Sequence, residues 1–168
     1  MEGILSPLLY ALKGGYVEVV VYFLEVCPTP LSLHYRDPLY GASLLHWACL
    51  SPSISLITYL LFKQNLSVDV ECGGGNSHGD SSTPLLWAAY ASTVEVVRFL
   101  IEQCGANRFA KNSLNQTCLH MATLSGCALK TEYLMDTVGL KITDKVLALL
   151  LWFVFIVLYL LTLVLFSL

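Results

Sequence analysis

The sequence has few charged residues, and its lysines and arginines form no cluster. In 168 residues there are 9 lysines and arginines and 12 aspartates and glutamates, so the formal net charge is −3 at pH 7. Binding to a phosphate backbone depends on grouped positive charge, so we expect no nucleic acid among the partners. Hydrophobic residues make up 56% of the chain, well above the level usual in globular domains, and much of the excess lies near the C-terminal end.

The sequence also lacks the motifs of a catalytic or metal centre. It contains no Ser-His-Asp, His-Glu-x-x-His or paired-carboxylate arrangement, and none of its 6 cysteines has Cys-x-x-Cys spacing. We therefore predict no catalytic residue, no metal site and no cofactor, and reduced thiols in a cytosolic compartment. The glycine-rich residues 72–80 lack the Gly-Lys-Ser/Thr of a phosphate-binding loop, which favours a long, extended loop without a phosphate-binding role.

A helix–turn–helix pattern is present four times. The clearest copy starts with Thr83 and Pro84, continues to Tyr90, and is followed by a second apolar helix from Val94. Thr83 is a typical N-cap, whose hydroxyl we expect to accept a hydrogen bond from a helical N–H, and Pro84 suits the first helical position. The other copies, roughly 34 to 40 residues apart, start at Ser6, Ser43 and Thr117.

The period and the residues of these copies resemble the ankyrin repeat. Pieces of that family's pattern are present as Thr83-Pro84, Leu45-His46, Leu119-His120 and Gly105-Ala106-Asn107. The resemblance covers about residues 1–139 and implies an all-α solenoid of about four repeats. It also implies that His46 and His120 form structural hydrogen bonds across the turn between repeats; copies one and three have Leu9 and Leu86 instead.

The residues after the repeats predict a membrane span. Residues 146–166 contain no charge, proline or glycine, and about 21 residues extend roughly 31 Å as a helix, which matches the hydrocarbon core of a bilayer. The predicted fold class is therefore all-α, with an ankyrin-repeat solenoid over residues 1–139, a short linker over 140–145 and one transmembrane helix over 146–168.

Lysines on one side of this segment predict its orientation. Lys130, Lys141 and Lys145 precede it, so the positive-inside rule places the repeats in the cytosol. We expect a single-pass protein whose partners include the lipid bilayer of the Golgi or another endomembrane. Two alternatives remain open, a tail-anchored protein and the front part of a longer membrane protein.

Large aromatic residues share one position of the repeat. The residues four after each start are Tyr10, Trp47, Trp87 and Met121, and Tyr90 follows seven after the third start. In ankyrin repeats the first helices line the concave face, so the resemblance implies a groove in which these rings bind a peptide. The predicted peptide-binding residues are Trp87, Tyr90, Trp47 and Tyr10. The alternative is that the rings only pack against one another between repeats.

Residues 83–90 are also similar to the Thr-Pro-Leu-Met-Trp-Ala-Ala-Tyr stretch of the ankyrin-repeat protein S-acyltransferases, or palmitoyltransferases. The resemblance implies cytosolic repeats that recruit substrate proteins, with Trp87 helping to hold a Pro-containing peptide. The family's cysteine-rich Asp-His-His-Cys segment, which binds zinc, is absent from these 168 residues. We expect a membrane-anchored module that captures a cytosolic protein or peptide, as the recruiting part of such an enzyme. The alternative is a tail-anchored ankyrin scaffold with no enzymatic link.

Overall fold

A computed structural model describes residues 2–28, 32–73 and 80–139 of the chain. Within these ranges the helices form four successive pairs, and three of the second helices continue into a π-helical turn. The pairs are α1 (Glu2–Gly14) with α2 (Val17–Val21) and π1 (Tyr22–Val26); α3 (Leu44–Ala48) with α4 (Ile54–Thr58) and π2 (Tyr59–Lys63); α5 (Pro84–Ala91) with α6 (Val94–Glu102); and α7 (Cys118–Leu124) with α8 (Ala128–Glu132) and π3 (Tyr133–Thr137).

The four pairs keep one common register. Every second helix begins eleven residues after the start of its copy: Val17 after Ser6, Ile54 after Ser43, Val94 after Thr83, and Ala128 after Thr117. The first helix of the last three pairs begins one residue after the start, whereas α1 already begins at Glu2 and contains Pro7. The prediction of an all-helical ankyrin-repeat solenoid over these residues is confirmed.

Matching leucines and alanines hold the first helices together. Helices α1, α3, α5 and α7 pack against one another in series. Burying each leucine at the contact is favourable by about 2 kcal/mol, and small alanines let the backbones approach closely. The residues at these two positions are Leu8, Leu45, Leu85 and Leu119, with Ala11, Ala48, Ala88 and Ala122, and all are buried.

Loops that we call fingers project between the pairs, and backbone pairing closes each at its base. In the first finger the Asp37 N–H donates to Ala42 O (3.0 Å), and the Asp37 carboxylate accepts three further backbone N–H groups. In the last finger the Asn112 N–H donates to Gln116 O (3.1 Å). The Asn112 side-chain oxygen accepts from the backbone N–H groups of Leu114 and Gln116. The first finger thereby presents Tyr40 beside the first helices. Residues 74–79 of the glycine-rich finger lie outside the described residues.

Hydrogen bonds also join the turns inside successive pairs. The Ser92 hydroxyl donates to Ser51 O (2.7 Å), and the Lys130 ammonium donates to Ser92 O (3.0 Å) and Tyr90 O (3.4 Å). Lys130 is only 2% exposed, and this burial lowers its pKa. Lys130 therefore caps the C-terminal end of α5. The predicted orientation counted it among the charges that flank the span, but it is not a surface charge.

The structure corrects the prediction of a transmembrane helix after the solenoid. Among the described residues no helix combines the length and the hydrophobicity needed to cross a bilayer. The longest of them, α1, has 13 residues and extends about 20 Å, which is shorter than the hydrocarbon core of roughly 30 Å. The predicted linker and span, residues 140–168, lie outside the described residues. For the described residues the supported fold class is the ankyrin-repeat solenoid.

Candidate peptide-binding surface

Trp87 lies at the centre of a group of rings that we call the aromatic cluster, formed by Tyr40, His46, Trp47 and Trp87. Its ring centroid lies 5.3 Å from His46, 5.8 Å from Trp47 and 6.1 Å from Tyr40, each time edge to face. Such pairs contribute about 0.5–1.5 kcal/mol beyond the area they bury. The cluster joins the first finger to α3 and α5, so these contacts hold the half-buried Trp87 ring in a fixed orientation.

The four predicted peptide-binding residues fall into two groups. Trp47 and Trp87 contact each other and are half-buried, so the packing between repeats that the sequence left open does exist for this pair. Tyr10 on α1 and Tyr90 on α5 are 73% and 52% exposed. Among the described residues, neither tyrosine makes a ring contact with the tryptophan pair. Peptide binding by the four residues stays a prediction.

Tyr40 belongs to this surface, although the sequence argument did not select it. Tyr40 is 46% exposed and packs edge to face on Trp87, which lies 47 residues further along the chain. Tyr40 follows the Asp37-Pro38 turn of the first finger, and the Asp37 carboxylate accepts the Tyr40 N–H at 2.9 Å. The contact joins residues that are far apart in the sequence, so no local pattern shows which helix this finger covers.

His46 forms structural hydrogen bonds, as predicted. Its Nδ1 accepts from the Ser43 N–H (3.2 Å) and the Ser43 hydroxyl (2.9 Å), so Nε2–H donates to Ser82 O (2.9 Å) of the next finger. Burial lowers the pKa of His46 to about 4, against an ordinary value of 6.5. The ring is therefore neutral near pH 7. In the fourth copy, Nδ1 of His120 lies 2.9 Å from the Thr117 hydroxyl in the same way.

Two buried polar atoms have no hydrogen-bond partner within the described ranges, the Thr83 hydroxyl and the Trp47 indole nitrogen. The predicted N-cap bond of Thr83 is therefore wrong, because its carbonyl oxygen, not its hydroxyl, accepts from the N–H groups of Leu86 and Trp87. The buried Trp47 nitrogen is not presented to solvent. Trp87, Tyr90 and Tyr40 are consequently better placed than Trp47 to contact a ligand.

The cysteines form no disulfide, and all six lie in the described part of the chain. Burial raises the pKa of Cys72 and Cys118 to about 12 and raises that of the fully buried Cys49 strongly. A nucleophilic cysteine needs a thiolate near neutral pH, and these three thiols stay protonated there. The described ranges also contain no group of three histidine, cysteine or acidic residues able to hold a metal ion.

Comparison with known proteins gives one family match and two similar relatives. A family model described as "Ankyrin repeats (3 copies)" matches residues 45–146, more than half of the chain. Palmitoyltransferase AKR1 of Lachancea kluyveri is 32% identical over 136 residues, or 78% of this chain. Palmitoyltransferase AKR1 of Kluyveromyces lactis is 29% identical over 125 residues, or 74% of this chain. These similarities confirm the predicted resemblance.

The alignments cover only part of each relative. They include 17% of the Lachancea protein and 16% of the Kluyveromyces protein, so the chain spans about a sixth of the length of the curated relatives it matches. The similarity therefore concerns the repeats and not the whole of either relative.

Proposed function

Because this chain belongs to the ankyrin-repeat family, we propose that it binds a peptide segment of a partner protein and recruits that partner to a palmitoyltransferase. The observation that carries the proposal is the aromatic cluster on the stacked first helices, with the exposed Tyr90 on the same helix as Trp87. The relatives named palmitoyltransferase supply the link to acyl transfer. The transfer step is not part of this proposal, since the 168 residues contain no Asp-His-His-Cys segment.

The chemistry of the surface favours a segment that contains proline. A proline ring is rigid and apolar, so it packs on an aromatic face and loses little conformational entropy on binding. Trp87 is already held by Tyr40, His46 and Trp47, so little ordering remains to be done when a peptide binds. The phenol groups of Tyr40 and Tyr90 are exposed and can donate hydrogen bonds to peptide carbonyl groups.

The spacing of the helices sets the length of the bound segment. Tyr10 lies on α1 and Trp87 on α5, with α3 packed between these two helices. Adjacent packed helices are about 8–10 Å apart, so the two rings are separated by roughly 16–20 Å. An extended peptide rises about 3.3 Å per residue, so about six residues cover this distance. We propose an extended segment of this length, lying across the first helices with its proline at Trp87.

The test uses fluorescence-labelled hexapeptides that carry proline at each position in turn, with the matching alanine peptides as comparison. The full chain should bind the best proline peptide more tightly than its alanine counterpart, by about tenfold if one proline side chain enters a fitted site. Trp87→Phe, Tyr90→Ala and Tyr10→Ala should each weaken binding. Phe62→Ala and Phe109→Ala remove exposed aromatic rings elsewhere and should leave affinity unchanged. Equal affinity for proline and alanine peptides would contradict the proposal.

The link to palmitoyl transfer needs a separate measurement. The reporter is a protein that carries the best peptide and one cysteine. Its acylation is measured by acyl exchange in cells that produce either the wild-type chain or the Trp87→Phe chain. The proposal expects less reporter acylation with Trp87→Phe. Unchanged acylation together with weakened peptide binding would favour the scaffold without an enzymatic link. We also propose that the chain acts at a membrane surface, because a palmitoyl group attached to the partner would favour a bilayer.

A further inference from the structure

A cavity of mixed polar and apolar lining lies between the segment that enters the first finger and the loop that leaves the second repeat. Its volume is about 360 Å³ and it shares no residue with the aromatic cluster. Its polar lining comes from His34, Arg36, Ser43, Asn65 and Ser67, and its apolar walls from Leu33, Leu66 and Val70. None of the residues that line it is acidic.

Arg36 is held in place by one half of its guanidinium group. Its Nη1 donates to Gly41 O (3.2 Å) in the first finger and to Glu71 O (2.8 Å) in the segment entering the next finger. These two bonds use both N–H groups of Nη1, and within the described ranges Nε and Nη2 have no hydrogen-bond partner. Three N–H donors of a fixed, planar cation therefore remain unused.

No carboxylate in the described part of the chain forms an ion pair with Arg36; the ion pairs found there are Lys63 with Glu25 and Arg98 with Glu102. The nearest acidic residue in sequence, Asp37, is buried and already accepts three backbone N–H groups. The positive charge of Arg36 is thus available to a ligand.

We propose that this cavity binds an oxyanion carried on a short apolar chain. Nε and Nη2 of a guanidinium group match the two oxygens of a carboxylate or phosphate, which is the geometry of bidentate recognition. The Ser67 hydroxyl and the Asn65 amide supply further donors, and Leu66 and Val70 contact the apolar part. The volume lies at the lower end of the range for ligand pockets, so we expect a small ligand such as a short-chain acid.

Nuclear magnetic resonance of the ¹⁵N-labelled full chain tests this proposal with three probes: butyrate, inorganic phosphate and neutral butyramide. Butyrate should shift the backbone amide signals of residues 33–36 and 65–70 and the Arg36 Nε–H signal, whereas butyramide should not. Inorganic phosphate distinguishes the two classes of oxyanion: tighter binding of phosphate assigns the site to phosphate groups, and tighter binding of butyrate assigns it to carboxylates. Either result supports an oxyanion site.

Variants show whether the shifts come from this cavity. Arg36→Lys should weaken butyrate binding by about tenfold or more, since Lys cannot make the paired hydrogen bonds. Ser67→Asp places a negative charge in the cavity at an exposed position and should abolish binding without loss of fold. Arg108→Lys, the same change at another exposed arginine, should have no effect. The proposal is overturned if butyrate and phosphate shift these signals no more than butyramide does, or if Ser67→Asp binds them as well as the wild type.

Discussion

Among the described residues the Thr83 hydroxyl has no hydrogen-bond partner, because Leu86, three residues later, offers no ring nitrogen. In the second and fourth copies the equivalent hydroxyls of Ser43 and Thr117 lie 2.9 Å from Nδ1 of a histidine at that position. In the third copy the hydroxyl is buried, and no partner for it exists in the part of the chain that the structure describes. The same turn is therefore satisfied in two copies and unsatisfied in one.

The first prediction compares one substitution at two equivalent sites. Thr117→Val should lower the free energy of unfolding by about 1 kcal/mol, because it breaks the bond to His120. Thr83→Val should leave stability unchanged or raise it by about 1 kcal/mol, because it removes a buried hydroxyl that has no partner. Urea unfolding of the two variants measures the difference. An equal loss at both sites would show that the Thr83 hydroxyl does have a partner.

Leu86→His tests the same relationship from the other side. The new ring can accept from the Thr83 hydroxyl through Nδ1 and donate through Nε2 to Gln116 O, which occupies the position that Ser82 O has for His46. The loss of a buried leucine costs about 2 kcal/mol, so the informative quantity is the coupling with Thr83→Val. Thr83→Val should destabilise the Leu86→His chain more than it destabilises the wild type, and a double-mutant cycle measures this.

Because the folded chain disfavours a protonated His46, we expect the fold to lose stability in mild acid. Its folded pKa is about 4 and its ordinary value is 6.5, so between these values the unfolded chain binds a proton that the folded chain does not. Stability contributed by the neutral ring is complete above pH 6.5 and is lost as the pH falls towards 4, by up to about 3 kcal/mol. Urea midpoints at pH 7 and pH 4.5 should differ less for His46→Gln than for the wild type. The exposed His34→Gln variant is the control and should behave like the wild type.

The burial of Lys130 should make the stability of the fold depend on pH in the alkaline range. Burial lowers its pKa below the ordinary value of 10.5, so the charged form is disfavoured in the folded chain. This unfavourable contribution is complete below the folded pKa and disappears as the pH rises towards about 10.5. The wild type should therefore gain stability relative to Lys130→Met as the pH is raised from neutral towards about 10.5. The exposed Lys111→Met provides the comparison, and a constant difference between wild type and Lys130→Met would refute the prediction.

The aromatic cluster predicts that Trp87 supports the fold and that Tyr90 does not. Trp87→Ala removes three ring contacts and should cost about 2–3 kcal/mol of unfolding free energy, less than a fully buried tryptophan. Tyr90→Ala changes an exposed side chain and should stay within about 0.5 kcal/mol of the wild type. Thermal unfolding of both variants measures this. For this reason Trp87→Phe and Tyr90→Ala are the better variants for binding studies.

The repeat register could be predicted from the sequence because one spacing recurs in all four copies. The role of His46 is implied by the resemblance to the ankyrin repeat, and the observed bond to Ser82 O agrees with it. The role of Lys130 could not be predicted, because a lysine at a core position of a second helix looks like a surface charge until the carbonyl groups of α5 are placed beside it. The contact of Tyr40 with Trp87 depends on how one finger folds over a later helix, which no local pattern contains.

The bonds from Lys130 to Ser92 and from Ser92 to Ser51 connect three successive turns in one line. Ser92 takes part in both, with its hydroxyl towards the second repeat and its carbonyl towards the fourth. Separation of the last helix pair would leave the carbonyl groups at the end of α5 without the ammonium group that covers them. The solenoid should therefore melt in a cooperative transition over its last three repeats and should not fray one repeat at a time from that end.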